Sequence, residues 1–237
     1  LLKKQVLLTE TAPAEIYTSS HTLPPHDALP ISQQAAQKAA QQAQADLQAQ
    51  LTKAHADNAD MLKKHELRAQ AQQALQADLN HISGSLLARG WMLATAESCT
   101  GGMIAAACTD LAGSSQWFER GFVTYSNEAK TELVGVPAGL IATHGAVSEP
   151  VAHAMALGAV AHSRAQVAVA VTGIAGPTGG TADKPVGTVW FGWNVNGNIT
   201  TATRRFDGDR AAVRLRTLAW ACARLNALLQ APPPAPR

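Results

Sequence analysis

The stretch 166–176, QVAVAVTGIAG, decides the fold. Its residues are nearly all small or β-branched, and none is charged. Such a run predicts a short strand covered on both faces, as in a sheet flanked by helices. Working outward, WMLATA (91–96) is a second short apolar run, and WFERGFVTYS (117–126) has strand composition. Helical patterns lie between: GGMIAAACTDL after the first strand, NEAKTELVG after the second, EPVAHAMALGAVAHSR before the third. Ser148 is placed to cap that last helix, with Pro150 tolerated in its first turn. Leu75, Leu79, Ile82 and Leu86 mark one face of a helix that Gly90 would end. TVWFGWNV and ITTATRRF flank Asn196-Gly197, the signal for a type I′ hairpin. Ala211, Leu215, Leu218, Cys222, Leu225 and Leu229, spaced 4-3-4-3-4, predict a closing helix. The expected fold class is α/β: a three-layer α/β/α arrangement around a mixed, mostly parallel sheet, preceded by an extra N-terminal helix.

The 237 residues allow one sizeable domain or two small ones. A formal charge of +2 gives no electrostatic case for a nucleic-acid partner. Three cysteines without a CxxC pair argue against a disulfide framework or zinc ribbon. Cys108 and Cys222 read as buried thiols. No HExxH or paired His/Cys spacing is present, so no metal is expected. No run approaches the roughly 20 apolar residues of a membrane span. No apolar core of a signal peptide follows Lys3 and Lys4, and the cytoplasm is the expected compartment.

Four pieces are expected. Residues 1–32 read either as a disordered leader or as a sequencing-adapter artefact. His26–Ile31 (HDALPI) is what the adapter codons CAC GAC GCT CTT CCG ATC spell. Residues 33–73 are Ala- and Gln-rich, with only Leu47, Leu51, Met61, Leu62 and Leu67 as large apolar residues. They predict an exposed helical extension without a core of its own. Residues 74–230 carry the α/β pattern, and 231–237 form a Pro-rich tail.

In doubly wound sheets, ligands sit at the carboxyl ends of the strands. The loops expected there are ESCTGG, SNEAK and TGIAGPTGG. ESCTGG opens a helix. Ser98 or Thr100 could simply cap it, or these hydroxyls could line a ligand site with the amides of Gly101 and Gly102. Ser98 and Cys99 are the first nucleophile candidates the eye meets, and Cys99 could pair with His144. TGIAGPTGG offers Thr172 and glycine amides, Gly173 among them, to a phosphate or sugar, or is only an ordered turn. The stretch 113–130 holds Ser114, Ser115, Tyr125 and Lys130 around one strand. A serine needs a base, and a lysine with a lowered pKa can serve while a tyrosine relays the proton. Arg210 in GDR can hold a carboxylate or phosphate in bidentate fashion.

The motifs TAESCTGG, AGSSQWFERGFVTYSNEAK, HGAVSEPVA, TGIAGPTGG, KPVGTVWFGW and GDR occur in this order. Together they resemble the CinA C-terminal domain family, over about residues 75–230, and within it the stand-alone amidohydrolases of nicotinamide mononucleotide. The resemblance implies hydrolysis of that mononucleotide's carboxamide to nicotinic acid mononucleotide and ammonia, within pyridine nucleotide salvage. It implies no cofactor and a small-molecule partner. We expect a homo-oligomer, with neither nucleic acid nor membrane as a partner. Carried over, the resemblance puts the nucleophile on Ser115 and the base and relay on Tyr125 and Lys130. Thr172 and Arg210 take binding roles, and Ser98, Thr100, Gly101 and Gly102 become a pocket wall. A non-catalytic nucleotide-binding or competence- and damage-related module is the alternative.

Overall fold

The computed structural model describes residues 29–231, with side chains from Ser32 onward. Most of the leader, including the HDA part (26–28) of the adapter-like run, and most of the Pro-rich tail lie outside the described residues. Two compact units divide the chain, one ending at Leu62 and the other beginning at Lys63. The described part of the first is helical and belongs to α1 (Leu29–Arg89). Its Leu47, Leu51, Met61 and Leu62 side chains are exposed. No Gly or Pro occurs between residues 33 and 83, so α1 runs unbroken from the Ala/Gln-rich stretch into the Leu75–Leu86 face. Gly90, at φ +63°, ends it.

The second unit continues with β1 (Leu93–Glu97), α2 (Met103–Thr109) and β2 (Phe118–Val123). Next come α3 (Asn127–Val134), α4 (Ala138–His144), α5 (Glu149–Ala161) and β3 (Val167–Gly173). The hairpin β4 (Thr188–Val195) and β5 (Asn198–Arg205) precedes α6 (Arg210–Gln230). A short 3-10 turn, Ser114–Gln116, leads into β2. The sheet order is β2-β1-β3-β4-β5. β2, β1 and β3 are mutually parallel, while β4 pairs antiparallel to β3 and β5 antiparallel to β4.

The side-chain alternation along β3 builds two different faces. Val167, Val169 and Val171 join Phe191 and Trp193 in a bulky core. Leu79, Ile82 and Leu86 of α1, Ile104 of α2 and Leu218, Cys222 and Leu225 of α6 cover it. Ala168 and Ala170 face the other way, under Val134, Ile141, Val151, Met155 and Ala156 of α3, α4 and α5. Alanine on that face lets α5 approach the sheet backbone. A Cβ on Gly192 of β4 would stand 2.5 Å from the Ala152 carbonyl oxygen. The Asn196-Gly197 turn has both φ angles positive, as type I′ requires.

The closing helix is present as α6, and three details differ from the sequence pattern. Ala211 and Leu215 are exposed, and the buried stripe of α6 begins instead at Val213 and Thr217. A strict 4-3 spacing tracks a 3.5-residue period and drifts off one face of a 3.6-residue helix. Ser148 occupies the N-cap position of α5 without capping it. Its hydroxyl donates to the Gly145 carbonyl at 2.7 Å, bracing the preceding loop. The short α4, where Ile141 alone is buried, has no counterpart in the sequence reading.

Candidate active site

The three parallel strands deliver their carboxyl ends to one edge of the sheet, because β1 and β2 are each followed by a helical crossover that returns over a face to the next parallel strand. A cleft of ≈ 250 Å³ lies there, lined by Ser98, Cys99, Tyr125, Asn127, Lys130 and Arg210 among others. Ala146, Val147, Thr172, Gly173 and Ala175 complete its wall.

Lys130 is the central group. Its first-turn position in α3 follows from Ser126, whose hydroxyl accepts the Ala129 amide at 3.0 Å and starts the helix. The amine is turned inward, and the residue is only 1% exposed. Nζ stands 3.1 Å from Ser98 Oγ and donates to the carbonyls of Thr124 at 2.8 Å, Tyr125 at 3.3 Å and Ser126 at 3.4 Å. Burial away from water lowers its pKa from the ordinary lysine value. None of its hydrogen-bond partners is a carboxylate. A lysine so placed can be neutral and accept a proton from the adjacent hydroxyl.

Ser98, the first residue beyond β1, is held by its own amide, which donates to Val171 O of β3 at 3.0 Å. The turn that follows closes with Gly101 N–H to Ser98 O at 3.1 Å. Gly101 and Gly102 sit at φ +62° and +97°, a conformation that disfavours other residues. Neither Ser98 nor Thr100 caps α2. Glu97 does so, its carboxylate accepting the amides of Gly102, Ile104 and Ala105. Those three amides are therefore engaged by protein and are not turned to a ligand. Thr100 is fully buried, its hydroxyl finds no partner, and its carbonyl accepts Arg214 Nη2 at 2.8 Å.

Ser115 is elsewhere. It is exposed in the 3-10 turn that precedes β2, whereas Tyr125 and Lys130 come after β2. The length of that strand, at about 3.3 Å per residue, places it roughly 20 Å away at the opposite edge of the sheet. The structure thus brings Lys130 to Ser98 and not to Ser115. The signal for this was already in the order of elements: AGSS precedes a strand, and ESCTGG comes after one.

Tyr125, largely exposed at 60%, accepts a hydrogen bond on its hydroxyl from Arg210 Nη2 at 3.2 Å. Arg210 begins α6, and its other terminal nitrogen donates to Gly176 O at 3.0 Å. Both acceptors are neutral, so the guanidinium keeps its charge for the cleft mouth. Thr172 Oγ1 donates to Ala146 O at 2.9 Å, tying the 145–148 loop to the end of β3. Gly173 also lines the cleft, in close packing with Val189 of the neighbouring strand. Asn127 lines it too, a residue the sequence reading did not single out. Cys99 is buried, and that burial pushes its thiol up to about 11. It is thus protonated at neutral pH and a poor nucleophile. His144 is exposed and does not line the cleft with it.

No helix among the described residues is long and apolar enough to cross a membrane. The family model described as the CinA C-terminal domain matches residues 75–229. The nicotinamide-nucleotide amidohydrolase PncC of Enterobacter agglomerans is 60% identical over 136 residues, 57% of this chain and 83% of the relative. The protein of that name from Escherichia coli strain K12 is 55% identical over 141 residues, 59% of this chain and 86% of the relative. A crystal structure of the competence/damage inducible protein CihA from Agrobacterium tumefaciens is 47% identical with a TM-score of 0.64, covering 66% of this chain and 96% of that one. This chain belongs to the CinA C-terminal domain family.

Proposed function

We propose that the protein hydrolyses the carboxamide of nicotinamide mononucleotide to nicotinic acid mononucleotide and ammonia, with Ser98 as the nucleophile. The observation that carries this reading is the 3.1 Å approach of Lys130 Nζ to Ser98 Oγ inside the cleft. The amidohydrolase relatives, of which this chain spans 83–86%, support the substrate.

In this reading neutral Lys130 takes the proton of Ser98 as Oγ bonds to the carboxamide carbon. The carbonyl π pair moves to oxygen, giving a tetrahedral oxyanion. Collapse of the oxyanion breaks the C–N bond, and the Lys130 ammonium returns its proton to the departing nitrogen, which leaves as ammonia. Water then attacks the Ser98 ester and gives a proton to Lys130. Departure of Oγ, reprotonated by Lys130, frees the nicotinic acid group, whose carboxyl proton passes to the released ammonia or to solvent, and restores the pair. Tyr125, oriented by Arg210, shares in proton transfer at the cleft mouth. The Arg210 guanidinium attracts the substrate phosphate, and Thr172 and Gly173 shape the wall on the β3 side. The product is a pyridine nucleotide of the kind used in NAD salvage.

The test is ammonia release from nicotinamide mononucleotide by the purified chain, measured with nicotinic acid mononucleotide formation. Equal amounts of both products are expected. Binding without turnover would instead identify a nucleotide-binding module.

A further inference from the structure

We infer that Glu97 is the positioning residue of the Ser98–Lys130 pair, an assignment that rests on the reading of that pair as the catalytic groups. Glu97 is the last residue of β1 and is wholly buried. A carboxylate away from water is costly unless its lone pairs are satisfied. Here all four partners are supplied locally. Oε1 accepts Thr95 Oγ1 at 3.1 Å and the Ala105 amide at 2.8 Å. Oε2 accepts the amides of Gly102 at 3.1 Å and Ile104 at 2.9 Å. The negative charge also sits at the positive end of α2, where it is favoured.

The consequence is geometric. Residues 98–102 leave β1 and re-enter at α2, and the Glu97 side chain clamps the second end of that loop to its first. Ser98 lies inside the clamp. The main chain of Glu97 acts on the other partner. Its carbonyl accepts the Thr124 amide at 2.8 Å and the Thr124 hydroxyl at 3.3 Å. The Thr124 carbonyl in turn accepts Lys130 Nζ at 2.8 Å. One residue thus fixes the loop bearing the hydroxyl and the strand end that holds the amine. Glu97 itself does not line the cleft, so it acts through its neighbours and not on substrate.

Glutamine is the informative substitution. It has the same shape, but its NH2 must replace one carboxylate oxygen. Whichever way the amide is turned, an N–H then faces at least one backbone N–H, and a buried donor loses its acceptor. The loop must shift, and a displacement near 1 Å at a reacting group costs roughly 10²-fold in rate.

The experiment compares Glu97→Gln with the unaltered protein and with Ser98→Ala, on nicotinamide mononucleotide, with thermal unfolding recorded for each. A folded Glu97→Gln is expected to lose roughly 10²-fold in kcat with KM within about twofold, the pattern of lost transition-state geometry. Wild-type kcat in Glu97→Gln beside an inactive Ser98→Ala would overturn the assignment and leave the catalytic pair standing. A rise in KM alone would overturn it as well. Full activity in Ser98→Ala would remove the pair and this inference with it. If Glu97→Gln fails to fold, Thr95→Val decides, since it deletes only the bond to Oε1. A severalfold fall in kcat at constant KM supports the assignment, and an unchanged kcat overturns it.

Discussion

Lys130 Nζ and Ser98 Oγ, separated by 31 intervening residues in the chain, stand 3.1 Å apart in a buried contact at the carboxyl edge of the sheet. The contact exists because β1 and β2 are parallel neighbours, with Glu97 in register with Val123. The segments leaving the carboxyl ends of these two strands must therefore meet.

Turnover should depend on pH through Lys130. Its depressed pKa means that the folded protein reaches the neutral amine at a lower pH than a free lysine does. The reaction requires the neutral form, so kcat/KM should rise with pH through a single ascending limb. Its midpoint should lie below the ordinary lysine value of about 10.4. Lys130→Arg keeps the charge but cannot lose its proton, and should cost roughly 10²–10⁴-fold in kcat. A pH–rate profile of both proteins provides the check. The limb should be absent in the variant.

Arg210 should govern affinity rather than chemistry. Its guanidinium reaches the cleft mouth with only neutral acceptors, Gly176 O and Tyr125 Oη. Arg210→Ala removes a charge-assisted contact worth about 1.5–3 kcal/mol, so KM for the mononucleotide should rise by roughly 10- to 100-fold. Nicotinamide riboside, which lacks the phosphate, should lose much less. Steady-state kinetics on the two compounds measures the difference.

The close packing of α5 predicts a stability effect at residues that do not line the cleft. A Cβ at Gly158 would lie 1.7 Å from the Val134 carbonyl oxygen of α3, a backbone atom that cannot rotate away. Gly158→Ala should lower stability by about 1–3 kcal/mol despite the better helix propensity of alanine. Urea unfolding at constant m would record the loss.

How far the sequence could be read depends on what each signal encodes. β3 and the β4–β5 hairpin were legible because their signals are local: a small, β-branched run, and an Asn-Gly pair with positive φ. α4 was not, since seven residues with one buried side chain leave no period to detect. Lys130, Tyr125, Thr172 and Arg210, which line one cleft, could be picked out together because each lies at the end of a strand, in the loop after one or in the first turn of a helix. The nucleophile assigned by resemblance went to Ser115, a serine near Lys130 in sequence but separated from it by the whole of β2. Proximity in sequence measures little when a strand intervenes. The part played by Glu97 had no sequence signature, because a buried carboxylate reads as an ordinary charged residue until its donors are known.

The mechanism turns on which serine reacts. Ammonia release from nicotinamide mononucleotide by Ser98→Ala and Ser115→Ala, purified and assayed side by side, measures it directly. The geometry predicts that Ser98→Ala is inactive and folded, while exposed Ser115 is replaced with turnover retained. An active Ser98→Ala beside an inactive Ser115→Ala would contradict the mechanism.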